Sequence, residues 1–494
     1  MSFISLTYAF FLISVLLLYW LVSSQWLRLW VLLAASIVFY TTQQPQYVPL
    51  LVASAWVNYQ IGRAIALPAD WREENWHAEH QAWNRRRLSL LWLGIVLNIA
   101  LLLGFKYIPF LASVASDLLG LQALPQQVEK INILVPLGIS FFSFECIAYL
   151  VDVYRGAPAA QQFLRFSAYK LFFPKLINGP ITRYPQLISQ LQNQSFPSLD
   201  RISEGLWLIA WGATKKGLLA DNLATPVKLI FDNTLRAGSG DLWLGIVAYG
   251  FQIYLDFSGY VDIARGTAML LGFELPQNFD FPYFTTSIAD FWRRWHMTLG
   301  DWLRNYLYFP LGGSRQGLER TCLNLMIVMA IAGIWHGAAW GFIVWGLLHG
   351  LALVVHRLTD AVSSSVDWLK RFWQSLPGVV VAWMLTQGMV FASWVFFRLP
   401  NLKDSLLVVQ RLWGYSADAQ FAQKVYGETL GLAPFQFGMV LWSLGVLMGF
   451  AYLCDRALKI QFSWIVKLLL VPLCLYAVWV LAPEGALPYI YFDF

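Results

Sequence analysis

Long apolar runs recur along this chain, and short polar or charged segments separate each run from the next. They fall near residues 4–22, 26–40, 47–62, 88–112, 132–152, 205–220, 241–272, 321–335, 336–356, 377–397, 436–453 and 464–482. Apolar runs of about 17–25 residues cross the hydrocarbon core of a bilayer as helices. Barrel strands would alternate apolar and polar positions, which these runs do not. The pattern predicts an all-α polytopic integral membrane protein of about a dozen helices, with residues 1–494 forming a single membrane-embedded domain.

The composition agrees with a chain that lies largely in lipid. Hydrophobic residues make up 58% of the sequence and charged residues only 13%, whereas soluble domains carry roughly a quarter charged residues. The net charge of +6 comes mostly from short loops between spans, which indicates orientation in the membrane rather than nucleic-acid binding. The first run lacks a basic start and a cleavage site, so we expect a retained span. The four cysteines show no paired spacing, so neither a disulfide framework nor a metal site is expected.

Two segments between the runs are not plain spans. The charged segment 63–87 ends in three consecutive arginines, which predicts a cytoplasmic loop. If three spans precede that loop, the N-terminus faces outward. The segment 166–191 is interrupted by three prolines and a glycine. Irregular backbone at membrane depth requires cover by protein or water, so this second segment is either a re-entrant or interfacial element lining a cavity or a surface loop on the headgroups.

A third segment, 278–315, follows a helical period. Its apolar arc consists of Phe291, Trp295, Leu299, Trp302 and Tyr306. Its polar side consists of Arg294, Thr298, Asp301 and Asn305. Such a helix, rich in tryptophan and arginine, is typical of the bilayer interface. His296 lies at the edge of the arc beside Arg293 and Arg304, and positive charge with partial burial would lower its pKa and keep it neutral. Alternatively, His296 is an interfacial histidine that reaches toward the headgroups.

One histidine, His336, is the only ionisable residue in LMIVMAIAGIWHGAAWGFIVWG (325–346). Ionisable residues inside a membrane cost free energy and are usually functional, so we predict a functional role for His336. Gly333, Gly337 and Gly341 recur every four residues around it. If the helix is continuous there, these glycines form a stripe without side chains. The stripe would serve close helix packing or let a ligand approach the imidazole.

Other polar residues offer weaker candidates. Asp262 and Arg265 are three residues apart, so they form either an ion pair that fixes helix packing or a polar wall of an internal tunnel. His349 falls on a different helix face from His336, and His356 lies near a solvated span end. A haem would need axial ligands from among these three histidines, an arrangement we do not favour. The sequence contains no GxSxG, HExxH or GxxxxGK[ST] motif.

Six stretches follow one another along the chain: GISFFSFECIAYLVDVYRG (138–156), FFPKLINGPITRY (172–184), QIYLDFSGYVDIARGTAMLLGFELPQNFDFPY (252–283), DFWRRWHMTLGDWLRNYLYFPLGGSR (290–315), GIWHGAAWGFIVWGLLHG (333–350) and YIYFDF (489–494). In this order they resemble the membrane-bound O-acyltransferase family, in particular its branch that acetylates bacterial exopolysaccharides such as alginate. The resemblance implies helices and re-entrant segments around a central tunnel. It also implies transfer of an acyl group, here acetyl from acetyl-CoA, to a hydroxyl.

The same resemblance assigns roles to two histidines. His336 matches the family's signature histidine, and His296 matches the second histidine in the RWH motif of this branch, where other branches commonly carry asparagine. The resemblance implies that acetyl-CoA enters from the cytoplasm and that the acetyl group leaves on the opposite face of a bacterial inner membrane. A separate periplasmic or membrane-anchored acetyltransferase, working with a polysaccharide synthase complex, would then pass it to the polymer.

The residue types fit that chemistry. A neutral imidazole suits the removal of a proton from an attacking alcohol, so we predict His336 as the general base and His296 as its catalytic or positioning partner. The predicted acetyl-CoA contacts are Arg293, Arg294, Arg304, Trp295 and Trp302. The three arginines would instead anchor the chain to anionic membrane lipids in the alternative interpretation. No metal is expected. The competing functions are an export channel for acetyl groups or polymer, an assembly scaffold, and D-alanyl transfer to a cell-wall acceptor.

Overall fold

Helices joined by short turns make up most of the structure. The computed structural model describes residues 3–66, 76–120, 128, 134–191, 195–483 and 487–490. In chain order the helices are α1 (Leu6–Leu21), α2 (Gln25–Thr41), α3 (Val48–Ala66), α4 (Trp76–Leu102), α5 (Ile108–Leu119), α6 (Ile139–Tyr154), α7 (Phe163–Lys170), α8 (Tyr184–Ile188), α9 (Leu199–Ala213), α10 (Asp221–Asp232), α11 (Ser239–Leu270), α12 (Ile288–Arg294), α13 (Met297–Leu303), α14 (Gly317–His336), α15 (Trp340–Ser365), α16 (Asp367–Gln374), α17 (Leu376–Arg398), α18 (Leu402–Arg411), α19 (Ala419–Ala422), α20 (Pro434–Arg456) and α21 (Trp464–Leu481). Short π-helical turns at Leu103–Tyr107 and Thr214–Ala220 join α4 to α5 and α9 to α10.

Each apolar run of the sequence overlaps a helix of the described residues, so the all-α prediction is confirmed. Within the described residues, six helical segments are long and apolar enough to cross a membrane: Trp83–Leu119, α14, α15, α17, α20 and α21. Helices α1 and α2 are apolar but shorter. In α21 the most apolar stretch has no buried residue. Exposure of this apolar surface to water would cost free energy, so the helix requires the surrounding lipid to cover it.

Two of the irregular segments differ from their predictions. The three arginines at 85–87 lie within α4, which begins at Trp76, and not in a loop; residues 67–75 of the predicted loop lie outside the described residues. The segment 166–191 is no surface loop, because residues 166–182 are all buried. Helix α7 ends at Lys170, turns follow to residue 178, and α8 begins at Tyr184. Protein therefore covers its broken backbone.

The third segment is not one continuous amphipathic helix. It divides into α12 and α13, and His296 between them has φ +43° and ψ +54°, in the left-handed region. Contacts with Asn278 and Phe279, which precede α12 in the chain, interrupt the helix at His296. The backbone N–H of Met297 donates to the carbonyl oxygen of Asn278 at 3.0 Å, and Trp295 forms an antiparallel bridge with Phe279. The apolar side is also not interfacial, because Phe291 and Leu299 are fully buried in the protein.

The helices form two compact units. One consists of Met1–Ile209 and Tyr260–Pro276, and the other of Ala210–Gly259 and Gln277–Phe494. The long helix α11 contributes residues to both. His336, His296 and His349 all belong to the second unit.

Candidate active site

His336 is the last residue of α14 and is buried, with 2% of its surface exposed. Aromatic rings surround its imidazole. The ring centroids of Trp345 and Phe397 each lie 5.0 Å from that of His336, and the Trp335 ring lies at 4.9 Å. The imidazole is therefore packed among aromatic rings, with little exposure to solvent, at the end of a candidate membrane span.

Close packing explains the glycines around His336. Helix α14 ends at His336, and Gly337 continues in extended backbone before α15 begins. A Cβ on Gly337 would lie 2.1 Å from Cε2 of Phe342, and one on Gly333 would lie 2.3 Å from the carbonyl oxygen of Phe342. The glycines therefore allow α14 and α15 to touch. The prediction of a continuous glycine stripe open to a ligand is wrong. The helix ends before Gly337, and atoms of Phe342 occupy the space beside Gly333 and Gly337.

The structure brings His296 and His336 to the same indole. The ring centroid of His296 lies 6.0 Å from that of Trp335, whose own ring is 4.9 Å from His336. Phe257 packs against His296 at 4.9 Å. His296 lies outside the six apolar spans and is 1% exposed. Burial lowers the pKa of His296 to about 3, so its imidazole is neutral near pH 7; burial, not the neighbouring arginines, causes this shift.

His349, which the sequence did not place in the site, is joined to it through one tryptophan. Its Nδ1 accepts a hydrogen bond from Nε1–H of Trp292 at 3.3 Å, and its Nε2 lies 2.9 Å from Oγ of Ser393. That hydroxyl already donates to the carbonyl oxygen of Val390 at 2.7 Å, so Nε2 of His349 carries the proton. The ring of His349 packs on Trp345 at 4.7 Å, and Trp345 in turn contacts His336.

The three arginines among the predicted acetyl-CoA contacts differ in exposure and in ion pairing. Arg293 and Arg304 are exposed, and Arg304 is paired with Asp301. Arg294 pairs with Asp290 at 3.1 Å through Nε, and its buried Nη1 has no hydrogen-bond partner among the described residues.

The two tryptophans of that predicted set are buried. Trp295 is 1% exposed and stacks on Phe291 at 5.6 Å, and Trp302 is 8% exposed. In this conformation neither offers an open ring face, and a stacking role for them stays a prediction.

A buried ionic cluster in the first unit was not anticipated. The carboxylate of Glu145 on α6 accepts hydrogen bonds from Nζ of Lys175 at 2.6 Å, from Nζ of Lys170 at 3.0 Å and from the backbone N–H of Thr182 at 3.0 Å. All four residues are buried. The signal was present in the sequence, since Glu145 interrupts the apolar stretch GISFFSFECIAYL and both lysines lie in the broken segment.

The second unit contains a similar cluster. Nζ of Lys216 lies 2.6 Å from Asp256 and 2.8 Å from Asp221. The backbone N–H of Ile490 donates to Asp256 at 3.0 Å, which anchors the described part of the C-terminal stretch; residues 491–494 lie outside the described residues. The sequence pointed instead to Asp262 and Arg265. These two are 3.9 Å apart and only partly buried, so they form at most a long ion pair.

Comparison with known proteins gives this arrangement a family. A family model described as "MBOAT, membrane-bound O-acyltransferase family" matches residues 2–397, which include both site histidines. The chain belongs to the membrane-bound O-acyltransferase family. It is therefore an O-acyltransferase and a multi-pass inner-membrane protein.

Three relatives of this chain carry the names of acyl-transferring proteins. A "Peptidoglycan O-acetyltransferase" of Helicobacter pylori is 36% identical, covering 78% of this chain and 74% of that protein. A "Probable alginate O-acetylase AlgI" of Pseudomonas putida is 36% identical, covering 84% and 80%. A "Teichoic acid D-alanyltransferase" of Bacillus subtilis is 27% identical, covering 54% and 70%.

The backbone at His296 allows its chemical role to be separated from its structural one. Asparagine tolerates the left-handed region, whereas alanine there costs about 1–2 kcal/mol. We expect His296→Asn to accumulate like the wild type and His296→Ala to accumulate less, as measured by detergent-solubilised monodisperse protein. If His296 only positions other groups, acyl transfer by His296→Asn stays within about tenfold of wild type. A loss of about 10²-fold or more would instead make its imidazole a proton-transfer group.

Proposed function

We propose that this membrane O-acyltransferase takes acetyl groups from cytoplasmic acetyl-CoA and delivers them for O-acetylation of an exopolysaccharide of the alginate or cellulose type. A periplasmic or membrane-anchored acetyltransferase partner would complete the delivery. The observation that carries the proposal is the convergence of His336 and His296 on the indole of Trp335 in a buried aromatic setting. The greater similarity to O-acetyltransferases than to the D-alanyltransferase supports acetyl as the acyl group.

The proposed reaction is general-base acyl transfer. The imidazole of His336 accepts the proton of an acceptor hydroxyl while the hydroxyl oxygen attacks the carbonyl carbon of the thioester. The carbon–sulfur bond then breaks, and the departing CoA thiolate takes the proton back from the imidazolium, so an ester and free CoA leave. Burial of the imidazole among Trp335, Trp345 and Phe397 keeps water from competing with the acceptor.

Two arginines on α12 favour acetyl-CoA as the acyl donor, because the CoA part of this thioester carries phosphates. Arg294 keeps one buried guanidinium nitrogen without a partner among the described residues, and Arg293 on the same helix is exposed. Arginine suits phosphate because its planar fork donates two parallel hydrogen bonds. Trp295 and Trp302 would contact the adenine only after a side-chain rearrangement, since both are buried.

The donor is tested by competition between two thioesters. The purified protein in proteoliposomes, with a hydroxyl-bearing acceptor, is given labelled acetyl-CoA or a D-alanylated carrier protein. We expect acetyl-CoA to be consumed and the D-alanyl thioester to remain intact. An Arg294→Gln variant should raise the KM for acetyl-CoA with little effect on kcat. The matched control is Arg320→Gln, which removes an exposed arginine from the first turn of α14 and should leave this KM unchanged. Consumption of the D-alanyl thioester alone would contradict the proposal.

A further inference from the structure

A groove of about 850 Å³ lies between α15 and α17 and is bordered by the start of α12; neither of the two site histidines lines it. The two helices meet at one end, where Trp345 stacks on Trp394 with ring centroids 6.1 Å apart. Toward the other end the groove separates them. Its long walls are apolar and are formed by Leu348, Leu351, Val355, Val379, Leu385 and Met389. This volume and this lining are typical of a pocket for a small amphiphilic molecule.

The end of the groove beside α16 is polar, and two of its donors lack acceptors. Oγ of Ser363 and Nε1 of Trp373 are buried and have no hydrogen-bond partner within the described part of the chain. Both are hydrogen-bond donors, and buried polar groups are normally paired. Lys370 lines the same end with an exposed ammonium group. The other charged groups at this end, His356 and Asp360, lie 3.4 Å apart and face each other.

A ligand that fits both ends carries negative oxygens and an apolar tail. We propose that this groove binds an anionic glycerophospholipid, with phosphate and ester oxygens at Lys370, Ser363 and Trp373 and an acyl chain along the apolar walls. The polar end belongs to the short helix α16, which links two candidate spans and is rich in tryptophan and basic residues. Such helices lie at the level of the lipid headgroups.

The geometry favours a lipid over a spanning helix of a partner protein. A helix with its side chains is about 10–12 Å across and must reach both membrane surfaces. Lys370, Trp373 and Gln374 of α16 line the polar end of the groove, so α16 stands across the path that a spanning helix would take. An acyl chain can end below α16 while its headgroup contacts it.

Native mass spectrometry of the full-length protein tests this site. The protein is delipidated in detergent and then given phosphatidylglycerol, phosphatidylcholine or inorganic phosphate. We expect retained phosphatidylglycerol, weaker retention of phosphatidylcholine and no retention of inorganic phosphate. Lys370→Gln should lower phosphatidylglycerol binding about fivefold, because one lysine near a membrane surface contributes that much to anionic-lipid binding. Lys370→Arg should restore binding, and Lys403→Gln, an exposed lysine on α18, should leave it unchanged.

A second variant tests the apolar part of the groove. Leu351→Trp with Leu385→Trp would fill the space between the walls and should abolish phosphatidylglycerol retention. Leu453→Trp on the exposed face of α20 is the matched control. Equal lipid binding by the filled variant and its control would overturn the proposal. So would equal retention of both lipids, or Lys370-dependent binding of inorganic phosphate without lipid.

Discussion

Replacing His336 with alanine is expected to lower acyl transfer by about 10²–10⁴-fold, which is the usual contribution of a general base. The imidazole is the only ionisable side chain in its apolar stretch and is enclosed by Trp335, Trp345 and Phe397. Because His336 is only 2% exposed, bulk water has little access to take over proton removal from the acceptor. Initial rates of acyl transfer, normalised to folded protein, measure the effect.

The control for His336→Ala lies two helical turns away. Val328→Ala removes buried apolar volume from the same helix, since Val328 is 8% exposed, but it leaves the imidazole in place. We expect Val328→Ala to keep its activity per folded molecule. Near-normal acyl transfer by His336→Ala, with folded protein at wild-type abundance, would remove His336 from the reaction.

Replacing Glu145 with glutamine is expected to lower the stability of the folded protein by about 3–5 kcal/mol, because removal of one partner leaves buried charge uncompensated. The carboxylate is the common acceptor for Lys170 and Lys175, and both lysines are almost fully buried. It also holds the backbone N–H of Thr182, so the cluster ties the broken segment 166–191 to α6. The midpoint of thermal unfolding in detergent measures the loss.

Two further variants distinguish this explanation from a general sensitivity to charge removal. Glu274→Gln breaks the exposed pair with Arg201, and it should cost less than about 1 kcal/mol. Replacing the whole cluster with apolar residues (Glu145→Leu, Lys170→Met, Lys175→Met) should recover most of the stability, because no buried charge is then left unpaired. A triple variant less stable than Glu145→Gln would contradict this account of the cluster.

The helical architecture is predictable because length and apolar composition dominate it. An apolar run of span length has no stable state in lipid other than a helix, so the runs at 321–335 and 336–356 correspond closely to α14 and α15. His336 is predictable for a related reason. An imidazole in an otherwise apolar run is costly, so its presence there indicates use.

The features that the sequence did not reveal depend on contacts between distant residues. Helical periodicity across 290–306 is genuine, but the backbone N–H groups of Met297 and Thr298 donate hydrogen bonds to Asn278, far from α13 in sequence. These bonds draw the chain out of the helix at His296. Likewise, spacing alone puts Gly333 and Gly337 on one stripe, whereas the packing of Phe342 decides what they face. Glu145 and Asp256 pair with Lys170 and Lys216, which lie 25 and 40 residues away along the chain, and no local pattern pairs them.

The measurement that tests the central claim most directly is a single-turnover assay of the purified protein with labelled acetyl-CoA and a hydroxyl acceptor. We expect the wild type to release free CoA and to place the label on the acceptor in equal amounts. We expect folded His336→Ala to do neither, whereas Val328→Ala does both. Transport of label without release of CoA, or equal turnover by His336→Ala, would contradict an O-acetyltransferase with His336 as its general base.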